Sequence, residues 1–437
     1  MLLYCCLYAI ERFERFIDLK AVITSFGSSG DFNPCLGIAR SLKNKGHHVI
    51  FLSNPFYKKQ IVDAGIDYIP AGEHIDIFKE IKDNPQYLNQ HTGPRAVWKM
   101  VLQVVPVMYD SMNRLIEEHS PDFLVTHMLE YGSVIAAIDH SLPYATIAPN
   151  PTAWFPIHDP AHFAFHPMPL FMRSFAARCV RSMTNVAFKH HLTPLCKKQN
   201  IPQHIQSLDD MFDKSYLNLG LWSPVFKNAN PDDPSHSKIC GFVRDDNIKH
   251  WPDIPPDIER LLNADIKPVV VGLGSTAAIH GGNIYRSAAL ACKRLNLPCL
   301  LIGPDTQQFS DSANNILSID FAPFGAVFPH ASIIINHGGV NTTAESMRAG
   351  VPFIVVPHAY DQFDNAIRAE QMGISHKIRV SKVTADAFTE LFTQIKSDTN
   401  MRDKVKQVSR LMLAEPDAAD TASNALIDSL PNQQPSS

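Results

Sequence analysis

The sequence predicts an α/β protein with two doubly wound domains, each a parallel sheet between layers of helices. Three observations support this fold class. The chain has 437 residues, which is too long for one typical hydrophobic core. Short apolar runs alternate with helical segments along both halves of the chain, as they do in parallel sheets. Glycine-containing turns follow several of these runs, where a strand passes into a helix.

Composition and charge exclude several function classes. The chain is 45% hydrophobic and 19% charged, with a net charge of -4, so no overall basic field favours nucleic-acid binding. The eight cysteines form no C-x-x-C pair, so neither a zinc site nor a disulfide framework is indicated, and a reducing cytosol is expected. Residues 1–19 begin with an apolar stretch too short to span a bilayer and without the pattern of a secretory signal. We expect a weakly packed extension there and assign it no role.

The first domain is predicted over residues 20–222. It opens with a strand over Ala21–Phe26, a glycine loop over Gly27–Pro34, a helix over Cys35–Lys45 and a strand over His48–Leu52, which together form a βαβ unit. Pro106 is expected to kink or break a later helix. The remaining elements are three strands and two helices: Phe123–Thr126, Tyr144–Ile147, Leu217–Leu221, Arg95–Glu118 and Glu130–His140.

A proline-rich segment over Pro149–Pro169 cannot form a regular element. It contains four aromatic residues, whose apolar rings suit a hydrophobic ligand: Trp154, Phe155, Phe163 and Phe165. Three histidines also recur there at intervals of four, but the prolines argue against the helix that a metal-binding face would need.

The stretch from Pro160 to Leu208 has no Asp or Glu but six basic residues, on a segment that is mainly helical over Met168–Lys198. One interpretation is a solvated basic face. The other is contact with an anionic acceptor or with an anionic membrane surface, so that the protein would act peripherally at the inner face of a membrane.

Residues 223–240 are predicted to be a linker, because they are polar and rich in proline. The second domain is predicted over residues 241–415 and the C-terminal helix and tail over 416–437. The sheet of the second domain is expected to contain five short apolar strands: Val269–Val271, Pro298–Ile302, Ile316–Ile319, Ser332–Ile335 and Phe353–Val356.

The most informative stretch follows the fourth of these strands. His337, Gly338 and Gly339 lead into a helix that contains Asn341, Thr342 and Glu345. The glycines allow close backbone approach, and the start of a helix favours a phosphate group. The side chains of His337, Asn341 and Thr342 add donors, and Glu345 can accept from a ribose hydroxyl. The alternative is a glycine-tightened turn around a buried histidine.

The flanks of this turn make the pattern specific. Phe321-Ala322-Pro323 precedes it, and Asp361-Gln362 follows it. Together these motifs resemble the donor-binding signature of the UDP-glycosyltransferase superfamily, whose members have the two-domain GT-B fold. The resemblance is to the bacterial branch, with an order of elements similar to the rhamnosyltransferase chains of rhamnolipid synthesis and, more loosely, to antibiotic and sterol glycosyltransferases. It extends from Lys20 to about residue 415.

The resemblance implies a role for each matching residue. The turn at Gly274 and Ser275 would donate to the donor's phosphates, together with His337, Gly338, Gly339, Asn341 and Thr342. Phe321 and Ala322 would contact the nucleobase, and Asp361 and Gln362 the sugar hydroxyls. The last two can equally serve as a helix N-cap, and both uses can coexist.

In the resembled family, the glycine loop of the first domain carries the catalytic base, and Asp31 matches that position. A carboxylate there can take the proton of an attacking hydroxyl. The alternative is that Asp31 only caps the following helix. The same resemblance assigns the aromatic segment to the acceptor pocket, with Trp154, Phe155, Phe163 and Phe165 as the candidate residues.

We therefore expect a glycosyltransferase that moves a hexose from a UDP- or dTDP-sugar to a hydroxyl of a hydrophobic acceptor, with inversion. The acceptor would be a hydroxy-fatty acid, a sterol, a polyketide or a phenol. No metal is expected, because helix dipole and side-chain donors can replace it and no D-x-D pair lies near the donor motif. The alternatives are a sugar-nucleotide epimerase and a non-catalytic subunit that binds nucleotide sugar or lipid.

Overall fold

Two parallel sheets, one from each half of the chain, organise the computed structural model, which describes residues 18–160, 169–244 and 254–431. The first sheet has seven strands in the order β3-β2-β1-β4-β5-β6-β7, and the second has six in the order β10-β9-β8-β11-β12-β13. Every pairing between these strands is parallel. The expected fold class of two Rossmann-like α/β domains is confirmed.

The first sheet is formed by apolar runs that are buried on both faces, as parallel strands require. All five residues of β4 and of β5 are buried. Its strands are β1 (Lys20–Thr24), β2 (His48–Ser53), β3 (Asp67–Pro70), β4 (Phe123–His127), β5 (Tyr144–Ala148), β6 (Leu217–Gly220) and β7 (Ser237–Ile239). The helices of this half are α1 (Ser29–Asn44), α2 (Lys58–Asp63), α3 (Ile77–Asp83), α4 (Gly93–His119), α5 (Tyr131–Asp139), α6 (Leu170–Gln199) and α7 (Leu208–Asp213).

The second half repeats this arrangement with shorter strands. They are β8 (Val269–Gly272), β9 (Cys299–Ile302), β10 (Ile316–Ile319), β11 (Ile333–Asn336), β12 (Phe353–Val355) and β13 (Ser375–Lys377). The helices are α8 (Pro256–Leu262), α9 (Gly274–Ala277), α10 (Gly282–Arg294), α11 (Phe324–Val327), α12 (Val340–Ala349), α13 (Gln362–Gln371), α14 (Ala385–Ser397), α15 (Thr399–Leu413) and α16 (Ala418–Asp428).

Two segments cross between the halves. Strand β7, inside the stretch predicted as linker, pairs with β6 and is the last strand of the first sheet. Helix α16 follows the second sheet in sequence but packs its buried face, which includes Ala422 and Leu426, into the core of the first domain. At its start, Asp420 accepts from Ser41 Oγ of α1 at 2.5 Å.

Pro106 was expected to kink or break its helix, and no break occurs. Helix α4 runs without interruption for 27 residues around it. Directly opposite, Gly132 of α5 lies so close to the Val105 carbonyl that a Cβ there would clash. We attribute the intact helix to this packing, which offsets the local cost of the proline. Among the described residues, no helix combines the length and apolar character needed to cross a membrane.

Candidate functional site

A cavity of about 1980 Å³ lies between the two domains. Loops that follow the carboxyl ends of β1, β4 and β5 line it on one side, and those that follow β8, β10 and β11 line it on the other. Ligands of open parallel sheets bind at this end of the strands, most often where the strand order reverses. In the first sheet that reversal falls between β1 and β4.

The turn between β11 and α12 is held rigidly open toward this cavity. Asn336, the last residue of β11, accepts from the Gly338 N–H at 2.8 Å through Oδ1 and donates to Ser346 Oγ at 3.0 Å. Gly338 has a φ of +87°, and a Cβ on it would lie 2.7 Å from Val355 Cγ1. Both constraints explain why the turn needs glycine. The result is a helix N-terminus whose first residues line the cavity.

His337 lies in this turn with its imidazole buried. Burial, reinforced by the nearby His358, lowers the pKa of His337 to about 3, so the ring is neutral at physiological pH. Its Nδ1 is buried and has no hydrogen-bond partner in the described structure. An anionic ligand oxygen in the cavity would satisfy such an atom if Nδ1 carries the proton.

A second glycine-containing turn, at Gly274, packs against this histidine. It has a φ of +70°, and a Cβ on it would lie 2.5 Å from His337 Cε1. Ser275 follows it in α9 and is exposed to the cavity. The structure therefore brings these three predicted residues together.

The other residues of the predicted donor site differ from one another in burial and in their contacts. Thr342 is buried and Glu345 half-buried along the cavity side of α12, and Glu345 forms an ion pair with Arg348. Asn341 Nδ2 donates to the Gly30 carbonyl of the first domain at 3.0 Å, so it bridges the cleft. The nucleobase candidates, Phe321 and Ala322, are 71% and 3% exposed at the cavity wall.

The Asp361-Gln362 pair lies at the start of α13. Gln362 Oε1 accepts from the N–H groups of His358 at 2.8 Å and Ala359 at 3.1 Å, so it fixes the preceding loop. Asp361 accepts from Asn365 Nδ2 at 2.8 Å. Burial, together with the negative charge of Asp31 across the cavity, raises the pKa of Asp361 to about 7.

Asp31 is located on the acceptor side of the cavity, in the first turn of α1. The helix starts earlier than predicted, at Ser29, with Ser28 as its N-cap. Asp31 Oδ2 accepts from the Ser28 N–H at 3.1 Å, which completes a capping box. The capping alternative is therefore real, but it occupies only one carboxylate oxygen.

The other oxygen faces a histidine that sequence reasoning missed. His127 Nε2, at the end of β4, lies 3.5 Å from Asp31 Oδ1, and the histidine side chain is only 3% exposed. His127 Nδ1 accepts from the Leu129 N–H at 3.3 Å, so in a neutral ring the proton sits on Nε2. Nε2 is buried and has no hydrogen-bond partner in the described structure, so its approach to Asp31 Oδ1 is a close contact and not a hydrogen bond. Only the order of the strands could have indicated His127, since β1 and β4 are the neighbouring strands at which the strand order reverses.

A buried acid lies next to His127. The Glu130 N–H donates to the His127 carbonyl at 2.9 Å, and the residue is 3% exposed. Burial raises the pKa of Glu130 to about 8, so at neutral pH it is mostly protonated and adds little negative charge near His127.

Apolar side chains line part of the first-domain side of the cavity. Its walls come from the loops after β1, β4 and β5 and from α4 and α6, and include Phe26, Trp98, Met128, Tyr131, Phe155 and Val180. Phe155 thus lies where it was expected, and Trp98 and Tyr131 were missed. Phe163 and Phe165 lie outside the described residues.

The assignment of Trp154 to the acceptor pocket is wrong. Its indole is 1% exposed and packs edge-to-face on Trp222, with ring centroids 4.6 Å apart. The buried ammonium of Lys227 lies near both rings and pairs with Asp233 at 2.8 Å. Trp154 is therefore a core residue, in the apolar cluster that joins the two domains.

Comparison with known proteins agrees with this geometry. Residues 301–427 match the family model "Erythromycin biosynthesis protein CIII-like, C-terminal domain". The O-mycaminosyltylonolide 6-deoxyallosyltransferase of Streptomyces fradiae is 22% identical over 413 residues, which cover 91% of this chain and 94% of that protein. The chain is a glycosyltransferase, similar to enzymes that glycosylate macrolides.

Solved structures identify the fold of this glycosyltransferase as GT-B. The glycotransferase of kitacinnamycin superposes with a TM-score of 0.71 at 20% identity, over 95% of this chain and 100% of that one. Spinosyn rhamnosyltransferase SpnG, complexed with thymidine diphosphate, superposes with a TM-score of 0.64 at 17% identity, over 95% and 100% of the two chains. Within the described part of the glycosyltransferase, no cluster of three or more His, Cys, Asp or Glu is arranged to hold a metal.

Proposed function

We propose that the enzyme transfers a hexose from a UDP- or dTDP-sugar to a hydroxyl group of a hydrophobic acceptor, with inversion at the anomeric carbon. One observation carries this proposal. The Asp31–His127 pair and the His337–α12 turn border the same cavity, and apolar side chains line its acceptor end.

The reaction is a single displacement. The acceptor oxygen attacks the anomeric carbon, the bond from that carbon to the diphosphate oxygen breaks, and the acceptor proton passes to Asp31. His127 Nε2 lies 3.5 Å from Oδ1 and would orient it once the two groups close to hydrogen-bond distance in the substrate complex. The nucleoside diphosphate leaves with the bonding electron pair, and Asp31 later releases its proton to solvent.

Charge develops on the departing diphosphate, so donors aimed at it lower the barrier. The N-terminus of α12, the Gly274–Ser275 turn and the His337 ring supply neutral donors, and no step requires a cation. We therefore propose transfer without a metal. Full activity after treatment with EDTA would support this, and loss of activity that Mg²⁺ or Mn²⁺ restores would contradict it.

The donor remains either a UDP- or a dTDP-sugar. A related fold is solved with thymidine diphosphate, and Glu345 on α12 suits a ribose or deoxyribose hydroxyl. The proposal of a hydrophobic acceptor is supported by the lining of the cavity. Aromatic and aliphatic side chains such as Trp98, Tyr131 and Val180 suit a lipid, sterol, polyketide or phenol.

The test combines a donor panel with an acceptor panel and follows nucleoside diphosphate release. UDP-glucose, UDP-galactose, UDP-N-acetylglucosamine and dTDP-rhamnose are each mixed with a hydroxy-fatty acid, a sterol and a phenol. Release that depends on one acceptor is expected. Interconversion of the sugars without an acceptor would indicate an epimerase, and tight nucleotide binding without release would indicate a non-catalytic subunit.

The Asp31→Asn variant tests the proposed base. It retains the shape of the side chain but cannot accept the proton. Transfer is expected to fall about 100-fold or more, while nucleotide affinity stays unchanged. Undiminished transfer would remove Asp31 from this role.

A further inference from the structure

Helix α6 carries an apolar stripe on the face that points away from the protein. Phe171, Phe175, Met183 and Val186 are 74%, 69%, 71% and 71% exposed. Their spacing of three, four and eight residues places them on one side of the helix. Exposed side chains this large in a continuous row indicate an interaction surface.

The opposite face of α6 explains why the stripe cannot turn inward. Ala177, Phe188 and Leu192 are buried there in or against the first-domain core. The helix is thus apolar on two sides, and only one side has a partner within the described chain.

Basic residues accompany the stripe. Arg178 and Lys189 are exposed on the same side of the helix, and Lys197 and Lys198 follow near its end. The sequence from 160 to 208 has no carboxylate to balance them. Arg181, which sequence reasoning grouped with these bases, instead pairs with Asp209 at 2.8 Å and does not belong to the surface.

We propose that this face of α6 docks the enzyme on an anionic membrane surface. Phe171, Phe175, Met183 and Val186 would enter the lipid headgroup boundary, while Arg178 and Lys189 approach the lipid phosphates. Apolar burial and attraction to anionic lipids together are what interfacial helices use. The docking surface lies outside the transfer site, and only its consequence for the acceptor rests on the proposed function.

The position of α6 gives this docking a consequence. The same helix lines the apolar end of the cavity through Ala177 and Val180. A docked enzyme therefore holds its acceptor pocket within one helix diameter of the bilayer, about 10 Å. A membrane-dissolved acceptor would have a short path to that pocket.

The test is co-sedimentation of the full chain with two vesicle preparations. One contains phosphatidylcholine alone, and the other equal parts phosphatidylcholine and phosphatidylglycerol. Binding is expected only to the second and should weaken as salt is added, because exposed charges are screened. The double variant Phe171→Ser/Phe175→Ser should bind at least about tenfold more weakly, as should Arg178→Glu/Lys189→Glu.

A matched control is Leu411→Ser, which changes a side chain that is 50% exposed on the second domain and should leave vesicle binding unchanged. Circular dichroism checks that every variant is folded. Failure of the wild-type chain to bind phosphatidylglycerol vesicles would overturn the proposal. So would an association of two copies in solution that the Phe171→Ser/Phe175→Ser variant abolishes, since the stripe would then be a dimer interface.

Discussion

His127 is the residue whose role is most directly testable. Its buried Nε2 lies 3.5 Å from Asp31 Oδ1 without a hydrogen bond. A hydrogen bond that forms there when substrate binds would be worth about 1.5–3 kcal/mol, or about 10- to 100-fold in rate. His127→Ala should therefore lower kcat by about that factor with little change in the donor KM. His127→Gln, which keeps an N–H donor, should recover part of the loss. Steady-state kinetics measure both, and an unchanged kcat in His127→Ala would assign the histidine to packing alone.

Asp361 should make donor use pH-dependent. Its pKa of about 7, raised by burial and then by Asp31, means that its carboxyl donates a hydrogen bond below neutral pH and accepts above it. A transition in kcat/KM near pH 7 is expected, and Asp361→Asn should abolish it. A pH profile that keeps the same transition in Asp361→Asn would assign it to another group.

The same pKa shift predicts a change in stability. Between pH 4 and pH 7 the folded state holds a proton on Asp361 that the unfolded state loses, so the free energy of unfolding falls as pH rises, by up to about 4 kcal/mol. Asp361→Asn should make this fall smaller by that amount and leave the part due to Glu130, whose pKa burial also raises, to about 8. Denaturant titrations at pH 4 and pH 7 measure how far the free energy of unfolding falls between the two pH values, in the wild-type protein and in Asp361→Asn.

Individual site residues differ in how well sequence predicts them. Asp31, Gly274 and His337 lie in short motifs, and the chain itself brings each motif to a strand end. His127 could not be found in this way, because its contact with Asp31 depends on which strands are neighbours. Trp154 was misassigned because composition does not tell which way a ring points in an irregular segment.

At the scale of elements, α9 packs closely against the β11–α12 turn because Gly274 has no side chain. Gly274→Ala should impose both a strained backbone at φ +70° and a contact of 2.5 Å on His337. Gly46 is the matched control, since its φ is +92° but nothing lies within 4 Å of its added Cβ. Gly46→Ala should lose only about 1–2 kcal/mol of stability, whereas Gly274→Ala should also lose nucleotide affinity. Equal nucleotide affinity in the two variants, measured by calorimetry, would contradict the tight contact.

Strongly apolar elements were predictable and weak ones were not. Strands β8, β9 and β11 are buried on every residue, so their pattern was clear. The edge strands β3 and β13 are short and partly exposed, and their sequences show no strand period. The continuity of α4 through Pro106 could not be predicted from the local effect of proline, because we attribute it to the packing between α4 and α5.

For the whole molecule, the GT-B architecture was predictable because a length that suits two cores and a donor motif in the second half agree with each other. The contacts that hold the two domains together were harder to predict. Asn341 reaches the Gly30 carbonyl, Tyr360 donates to the Tyr87 carbonyl, and Arg368 pairs with Asp159. These contacts pair residues far apart in sequence, and no local pattern marks either partner.

The C-terminal helix gives this coupling a measurable consequence. Leu426 is fully buried in the first-domain core although it follows the second domain in sequence. Leu426→Ala should lower the free energy of unfolding by about 2–5 kcal/mol, the usual cost of such a cavity. Leu413→Ala, at a site that is 55% exposed on α15, should change it by less than about 0.5 kcal/mol. If the two variants unfold at the same denaturant concentration, α16 does not hold the first domain together; if only Leu426→Ala is destabilised, the chain's last helix is part of the fold of its first domain.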